Sequence, residues 1–172
     1  MTGSHLANAA QMSDGIVALF NASDDTIDMI QGLLTKADSG QTLIWCHFAD
    51  LKKGIVNFER YLGKHNPEVV IFDISPPYDE NWTFFKKMRD AASMKHRGIV
   101  LTTTNKDRLD EVLGSDSHAL EVVGRTEDLE LIDRAIRAET RKADAVRRAA
   151  SSRSTTGGSS GGATSISAPV AA

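Results

Sequence analysis

Three polar side chains follow three apolar runs in this chain. Asp73 closes Val69-Val70-Ile71-Phe72, Thr103 ends the run opened by Gly98-Ile99-Val100-Leu101, and Arg125 comes just after Ala119-Leu120-Glu121-Val122-Val123. Runs of this kind read as buried strands, and open α/β sheets place their chemistry at the C-terminal ends of such strands. A carboxylate, a hydroxyl and a guanidinium gathered there make a polar site. The first run, beginning at Gly15, ends in Asn21-Ala22, where a metal-dependent version of the site would need acids. The pattern keeps a scaffold and drops part of its chemistry.

The elements that position these residues alternate. A short strand over 15–21 precedes a helix opened by Asp24-Asp25, in which Ile27, Ile30, Leu33 and Leu34 recur at helical spacing. Ser39-Gly40 turns the chain into a second strand, Thr42 to Phe48. A helix with the stripe Leu51, Ile55, Phe58, Leu62 follows and stops at Asn66-Pro67. Strand three is Val69 to Asp73. A loop with Pro76-Pro77 leads to a helix carrying Trp82, Phe84, Phe85 and Met88, then to strand four, Ile99 to Thr103. A helix over Leu109 to Leu113 ends at Gly114, strand five covers Leu120 to Val123, and the last helix starts near Thr126, with Glu127 and Asp128 suited to its positive end. Continuous apolar strands joined by helical crossovers require a parallel sheet covered on both faces, hence a three-layer doubly wound α/β domain.

Composition bounds the rest. The chain has 172 residues, of which 41% are hydrophobic and 25% charged, enough for one core. Residues 1–13 are small and polar, contain Gly3-Ser4-His5, and read as a disordered segment or tag remnant; 150–172 are Ser-, Gly- and Ala-rich and read as a disordered tail; 14–149 form the domain. The net charge of -3 favours neither nucleic acid nor an anionic membrane. A single cysteine, Cys46, forbids an internal disulfide. No apolar stretch approaches the roughly 18 residues of a membrane span, and no export signal is visible, so a cytoplasmic setting is expected.

The placement of Asp73, Pro77, Thr103 and Arg125, with Asn21-Ala22 at the first strand end, resembles the receiver domain of two-component response regulators over Gly15 to about Arg137. The resemblance implies a five-stranded flavodoxin-like sheet in the order 2-1-3-4-5. It implies the phosphoacceptor at Asp73, the responding hydroxyl at Thr103 and a cation at Arg125 in place of the family's lysine. Asn21 and Ala22 stand where the family has the acidic pair that holds magnesium together with the acceptor and the Ser75 carbonyl. Further departures are Thr126 for a proline, Asn81 for a turn glycine and Val122 for the aromatic switch residue. A shift of one residue at the last two strand ends would instead put Thr102 at the hydroxyl position and Gly124 at the lysine position.

Those departures bear on charge. Magnesium relies on carboxylates to offset its dehydration, and phosphoryl transfer to a carboxylate needs a cation to neutralise developing charge. The formal charge falls from about -3 in a complete acidic cluster to about -1 here, and attraction for a divalent ion falls with it. Asp24 and Asp25 are assigned to the start of the first helix rather than to a metal. Arg125 can grip a carboxylate through two parallel hydrogen bonds and so replace the metal on Asp73; the competing arrangement is a guanidinium reaching into solvent.

Other conspicuous residues receive structural readings. Trp45, Cys46 and His47 lie on a strand and Trp82, Phe84 and Phe85 at a helix start, as core or rim. The five histidines show no ligand spacing, and no metal site is expected. Gly114-Ser115-Asp116-Ser117-His118 reads as a helix-ending turn, not a triad. The last helix packs through Leu129, Ile132 and Ile136 but continues in a basic, alanine-rich stretch to Ala149. At about 1.5 Å per residue this is roughly 36 Å, long enough to overhang the sheet and offer a surface for a second copy.

The functional expectation is an atypical receiver, not an enzyme. It would bind a protein partner, a histidine kinase or downstream regulator, through its fourth and fifth helices, with phosphorylation lost or weakened and no cofactor. The first alternative is a working phosphoacceptor at Asp73 with magnesium held through Asn21 and waters. The second is a small-ligand sensor using the cleft at the strand ends.

Overall fold

The computed structural model describes residues 15–21, 23–36, 40–114, 117–123 and 125–154. Ala22, Gly124 and the segments 1–14 and 155–172 lie outside the described residues, and with them most of the two terminal segments read as disordered. The chain runs β1 (Ile16–Asn21), α1 (Asp24–Lys36), β2 (Thr42–His47), α2 (Phe48–Lys52), α3 (Phe58–His65), β3 (Val69–Asp73), α4 (Tyr78–Arg89), a 3-10 turn (Ala92–Met94), β4 (Gly98–Thr103), α5 (Lys106–Leu113), β5 (Leu120–Glu121) and α6 (Thr126–Ser154). The strands form one parallel sheet in the order β2-β1-β3-β4-β5. This is the three-layer, flavodoxin-like architecture read from the alternation of elements.

The period of two along each strand sorts the core into two layers. Ala18, Phe20, Val70 and Phe72 pack with Phe48, Leu51, Leu62, Phe85, Met88 and Leu109, so α2 to α5 cover one face. Val17, Leu19, Val69, Ile71 and Val100 pack with Ile27, Ile30, Leu33, Ile132 and Ile136, so α1 and α6 cover the other. Every residue of β3 is buried, as a central strand between two helical layers must be. Phe72 stacks on Phe20 at 5.4 Å and meets Phe85 edge-on at 4.9 Å; truncating such a side chain to alanine costs about 3–5 kcal/mol.

Several boundaries differ from the sequence reading: the second strand ends at His47, with Phe48 opening α2, and the fourth starts at Gly98. The single helix drawn through Leu51, Ile55, Phe58 and Leu62 is two helices, and Ile55 is 70% exposed. Gly54 adopts φ +72, and Asn57 caps α3 by accepting the Arg60 N–H at 2.9 Å; a glycine in the left-handed region and a new N-cap divide the stripe. α5 begins at Lys106 because Asn105 accepts the Arg108 N–H. β5 ends at Glu121: Val122 still donates to the Thr103 carbonyl, but the Val123 N–H is taken by Asp128 Oδ2 at 2.9 Å. α6 continues five residues past 149 to Ser154, its 29 residues spanning roughly 43 Å.

α6 lies very close to the sheet where it crosses Gly98. A Cβ built there would fall 2.5 Å from Glu139 Cβ, so β4 can start under the helix only with glycine. Ala143 is buried and Arg147 reaches Glu68 Oε1 at 3.2 Å. The early part of the overhang therefore rests on its own domain, ahead of the strands' N-terminal ends.

Candidate functional site

Asp73 sits at the C-terminal end of β3, 1% exposed, beside the end of β4. Its Cα is in register with Thr102, and the Thr102 hydroxyl donates to Asp73 Oδ1 at 2.8 Å. Thr103, expected to supply that hydroxyl, does not: its Oγ1 accepts the Asn105 N–H at 3.4 Å in the following turn. Strand parity explains the correction. Val100 belongs to the layer under α1 and α6, so Thr102 shares that side with Asp73, and a shift of one residue turns the side chain to the opposite face. Of the one-residue alternative, Thr102 is the threonine that meets Asp73, and Gly124 lies outside the described residues.

Burial dominates the chemistry of this carboxyl. Loss of hydration pushes the Asp73 pKa up to about 6, and the Thr102 hydrogen bond only partly opposes it. Asp73 Oδ2 is buried with no hydrogen-bond partner among the described residues. An uncompensated buried carboxylate is costly, and here neutralisation in mild acid offsets that cost.

The Ser75 carbonyl, the second oxygen that the resemblance assigns to a magnesium site, is engaged by a side chain. Asn81 Nδ2 donates to it at 2.7 Å, and Lys52 Nζ in turn donates to Asn81 Oδ1 at 2.7 Å. Asn81 is 4% exposed and spans from α4 to the loop after β3, which includes a cis bond between Pro76 and Pro77. The bridge places an amide donor on the carbonyl and an ammonium behind it. A divalent cation needs oxygen donors with uncommitted lone pairs and negative charge. Among the described residues no group of three or more His, Cys, Asp or Glu side chains could hold a metal. Among the described residues the site offers the Asp73 carboxyl and a Ser75 carbonyl that already accepts one hydrogen bond.

Arg125 does not occupy Asp73. Its guanidinium lies on Asp128, with Nη2 to Oδ1 at 3.2 Å, and near Glu121 at 3.9 Å, with the side chain 59% exposed. Asp128 is the stronger attractor because it also closes the start of α6, accepting the Val123 and Arg125 N–H groups at 2.9 and 3.0 Å. Burial alone would raise the Asp128 pKa, but the two N–H donors and the guanidinium outweigh it and hold the carboxyl below the usual range. The guanidinium that was to replace the metal is thus fixed by its own helix cap.

The remaining predicted positions divide similarly. Asn21 ends β1, paired with His47, one residue beyond the Phe20 to Phe72 pair and so beside the end of β3. Ala22 and the alternative Gly124 are among the undescribed residues. Val122 at the switch position is 2% exposed and packs in the core with Ile132 and Ile136. Asp24 opens α1 as expected and approaches His47 Nε2 at 3.5 Å. Cys46 is a buried thiol pushed to about 11 by burial and by the Asp50 charge, so it is a filler and not a nucleophile. Lys52 was not singled out from sequence; no local spacing ties it to Asn81, 29 residues away.

No family model and no curated protein matches the sequence. Solved structures do match in shape. A sensor protein from Polaromonas sp. JS666 superposes with a TM-score of 0.55 at 12% identity, over 75% of this chain and 98% of that one. A response regulator from Thermotoga maritima gives a TM-score of 0.50 at 14% identity, over 71% and 97%. The bacteriophytochrome response regulator RtBRR gives 0.50 at 15% identity, over 73% and 77%. At these identities the likeness carries the fold alone: the chain has the receiver fold, with the buried carboxyl of Asp73 at the C-terminal end of β3.

Proposed function

We propose that this chain is a protein-interaction module of signal transduction in which magnesium-dependent phosphorylation of Asp73 is lost or greatly weakened. The observation that carries the reading is the Lys52, Asn81, Ser75 bridge, which puts an amide donor on one lone pair of the Ser75 carbonyl and brings a positive charge behind it. The single carboxylate at the site, its raised pKa and the diversion of Arg125 to Asp128 act in the same direction.

Partner contact is assigned to the face made by α5, β5 and the start of α6. Val112 on α5, Val123 after β5 and Leu131 on α6 are 49%, 53% and 40% exposed, large apolar side chains on neighbouring elements. Exposed apolar side chains of this size are the usual material of a protein interface. The partner is a signalling protein, and the contact needs no catalysis by this chain.

The test is a magnesium and beryllofluoride titration of the whole chain followed by amide NMR. The reading predicts no saturable shifts around Asp73, Thr102 and Ser75. Saturable shifts there would establish the other reading, a phosphoacceptor served by a histidine kinase, which draws on the retained carboxylate and its unpartnered Oδ2.

A further inference from the structure

The opposite edge of the sheet carries a different concentration of charge. Arg97 immediately precedes β4 and Glu68 immediately precedes β3, so both stand at the strands' N-terminal ends, a strand length from Asp73. Over this edge the late turns of α6 and the segment after the 3-10 turn border a half-open cleft of about 430 Å3 whose walls include Lys95, His96, Arg97 and Arg147. No carboxylate lines it. Of the acids in this region, Glu68 and Asp144 are drawn to Arg147, at 3.2 and 3.9 Å, and Glu139, which lines an adjoining pocket with Lys95, His96 and Arg97, pairs with Lys142.

Arg97 is held in place by the backbone. Its Nε donates to the Ser93 carbonyl at 2.8 Å, Nη1 donates to the Pro67 carbonyl, and Nη2 to the Leu62 carbonyl at 3.4 Å. Those bonds use three of the five N–H groups of a guanidinium and leave its charge without a carboxylate. Burial, and to a lesser extent the Arg147 charge, lower the Arg97 pKa. Ser93 also lines the cavity, and its buried hydroxyl has no partner among the described residues. A fixed guanidinium, a second one on a helix, an ammonium and a spare hydroxyl suit a compact dianion that accepts several hydrogen bonds at once. The volume lies within the range of about 300–1,000 Å3 that small-molecule sites occupy.

We infer that the cleft between the overhang of α6 and the segment Ser93 to Arg97 binds the phosphate group of a small molecule. Arg147, which also meets Glu68, and Lys95 supply side-chain contacts, and Arg97 the one held by backbone carbonyls. The site is independent of the Asp73 reading, since it lies at the other end of the strands and uses none of the same residues.

The test uses the full chain, labelled so that arginine Nε–H signals are visible, titrated separately with inorganic phosphate and with ADP. Saturable shifts of Arg97 and Arg147 are expected. Tighter binding of ADP assigns the cleft to a phosphorylated metabolite, and binding of phosphate with no gain from ADP assigns it to the free ion. Arg147→Gln should weaken the dissociation constant roughly tenfold and Lys95→Gln severalfold, as expected when one charged contact to a phosphate is lost. Both positions are exposed enough for the fold to survive, which the amide spectrum verifies; Asp73→Asn should leave the constant unchanged. Absence of a saturable response to either probe, an unchanged constant in Arg147→Gln, or equal shifts on Arg141 and Arg148 would overturn the assignment.

Discussion

The two ends of the parallel sheet solve the problem of charge in opposite ways. At the C-terminal end Asp73 is 1% exposed, answered by one hydroxyl, while nearby cations are turned to other partners: Lys52 to Asn81, Arg125 to Asp128. At the N-terminal end Arg97 and Arg147 face a common cleft, and backbone carbonyls rather than acids hold the half-buried Arg97 guanidinium. The same scaffold thus buries a carboxyl that is easily neutralised at one edge and keeps permanent positive charge beside a cavity at the other. A strand end becomes a reactive centre only when its charges are brought to the same point, and in this chain they are kept apart.

The comparison can be broken or sharpened at four places. The largest effect belongs to Asp73→Asn. The folded carboxyl titrates near 6 against an ordinary 3.8, so its stabilising contribution is whole below the unfolded value and disappears as pH rises through the folded one. The variant should therefore gain on the order of 2 to 3 kcal/mol at neutral pH and nothing below pH 4, read by urea melts at the two pH values. Gly98→Ala acts at the opposite edge. Its Cβ would meet α6 backbone atoms at 3.1 and 3.2 Å as well as Glu139 Cβ, and the forced shift should cost about 1–3 kcal/mol in the same assay.

Asn81→Ala removes the bridge at the first edge. With a buried amide lost and the Ser75 carbonyl left unpaired, stability should fall by about 1–2 kcal/mol in thermal melts. Magnesium should still fail to shift the amide spectrum, because the charge deficit remains. Arg125→Ala is expected to do least: the Asp73 carboxyl should titrate as before, since the guanidinium is engaged by Asp128. A change in the Asp73 midpoint in this variant would restore the pairing that the sequence suggested.

The strands, their order and the position of Asp73 were legible because periods of two and 3.6 and continuous apolar runs are local signals. The fully buried β3 declares itself in Val69-Val70-Ile71-Phe72. The companion of Asp73 was ambiguous between Thr102 and Thr103 because register depends on which face each strand turns to its layer, and three consecutive threonines hide that parity. The break between α2 and α3 was missed because Leu51, Phe58 and Leu62 keep helical spacing across Gly54. Of the two arrangements left open for Arg125, the grip on Asp73 is not formed, for an electrostatic reason. Asp128, three residues along, is both nearer and already required as a cap, so local competition decided the pairing. The Lys52 to Asn81 bridge and the cleft at Arg97 join residues far apart in the chain, and no spacing rule could reveal them.

The central claim is that Asp73 is a buried carboxyl without a metal partner. Its most direct test is the titration of the Asp73 side-chain carboxyl by carbon-13 NMR, with and without millimolar magnesium. The account predicts a midpoint near 6 that magnesium leaves in place. A midpoint at or below the ordinary 3.8, or one that falls when magnesium is added, would contradict it.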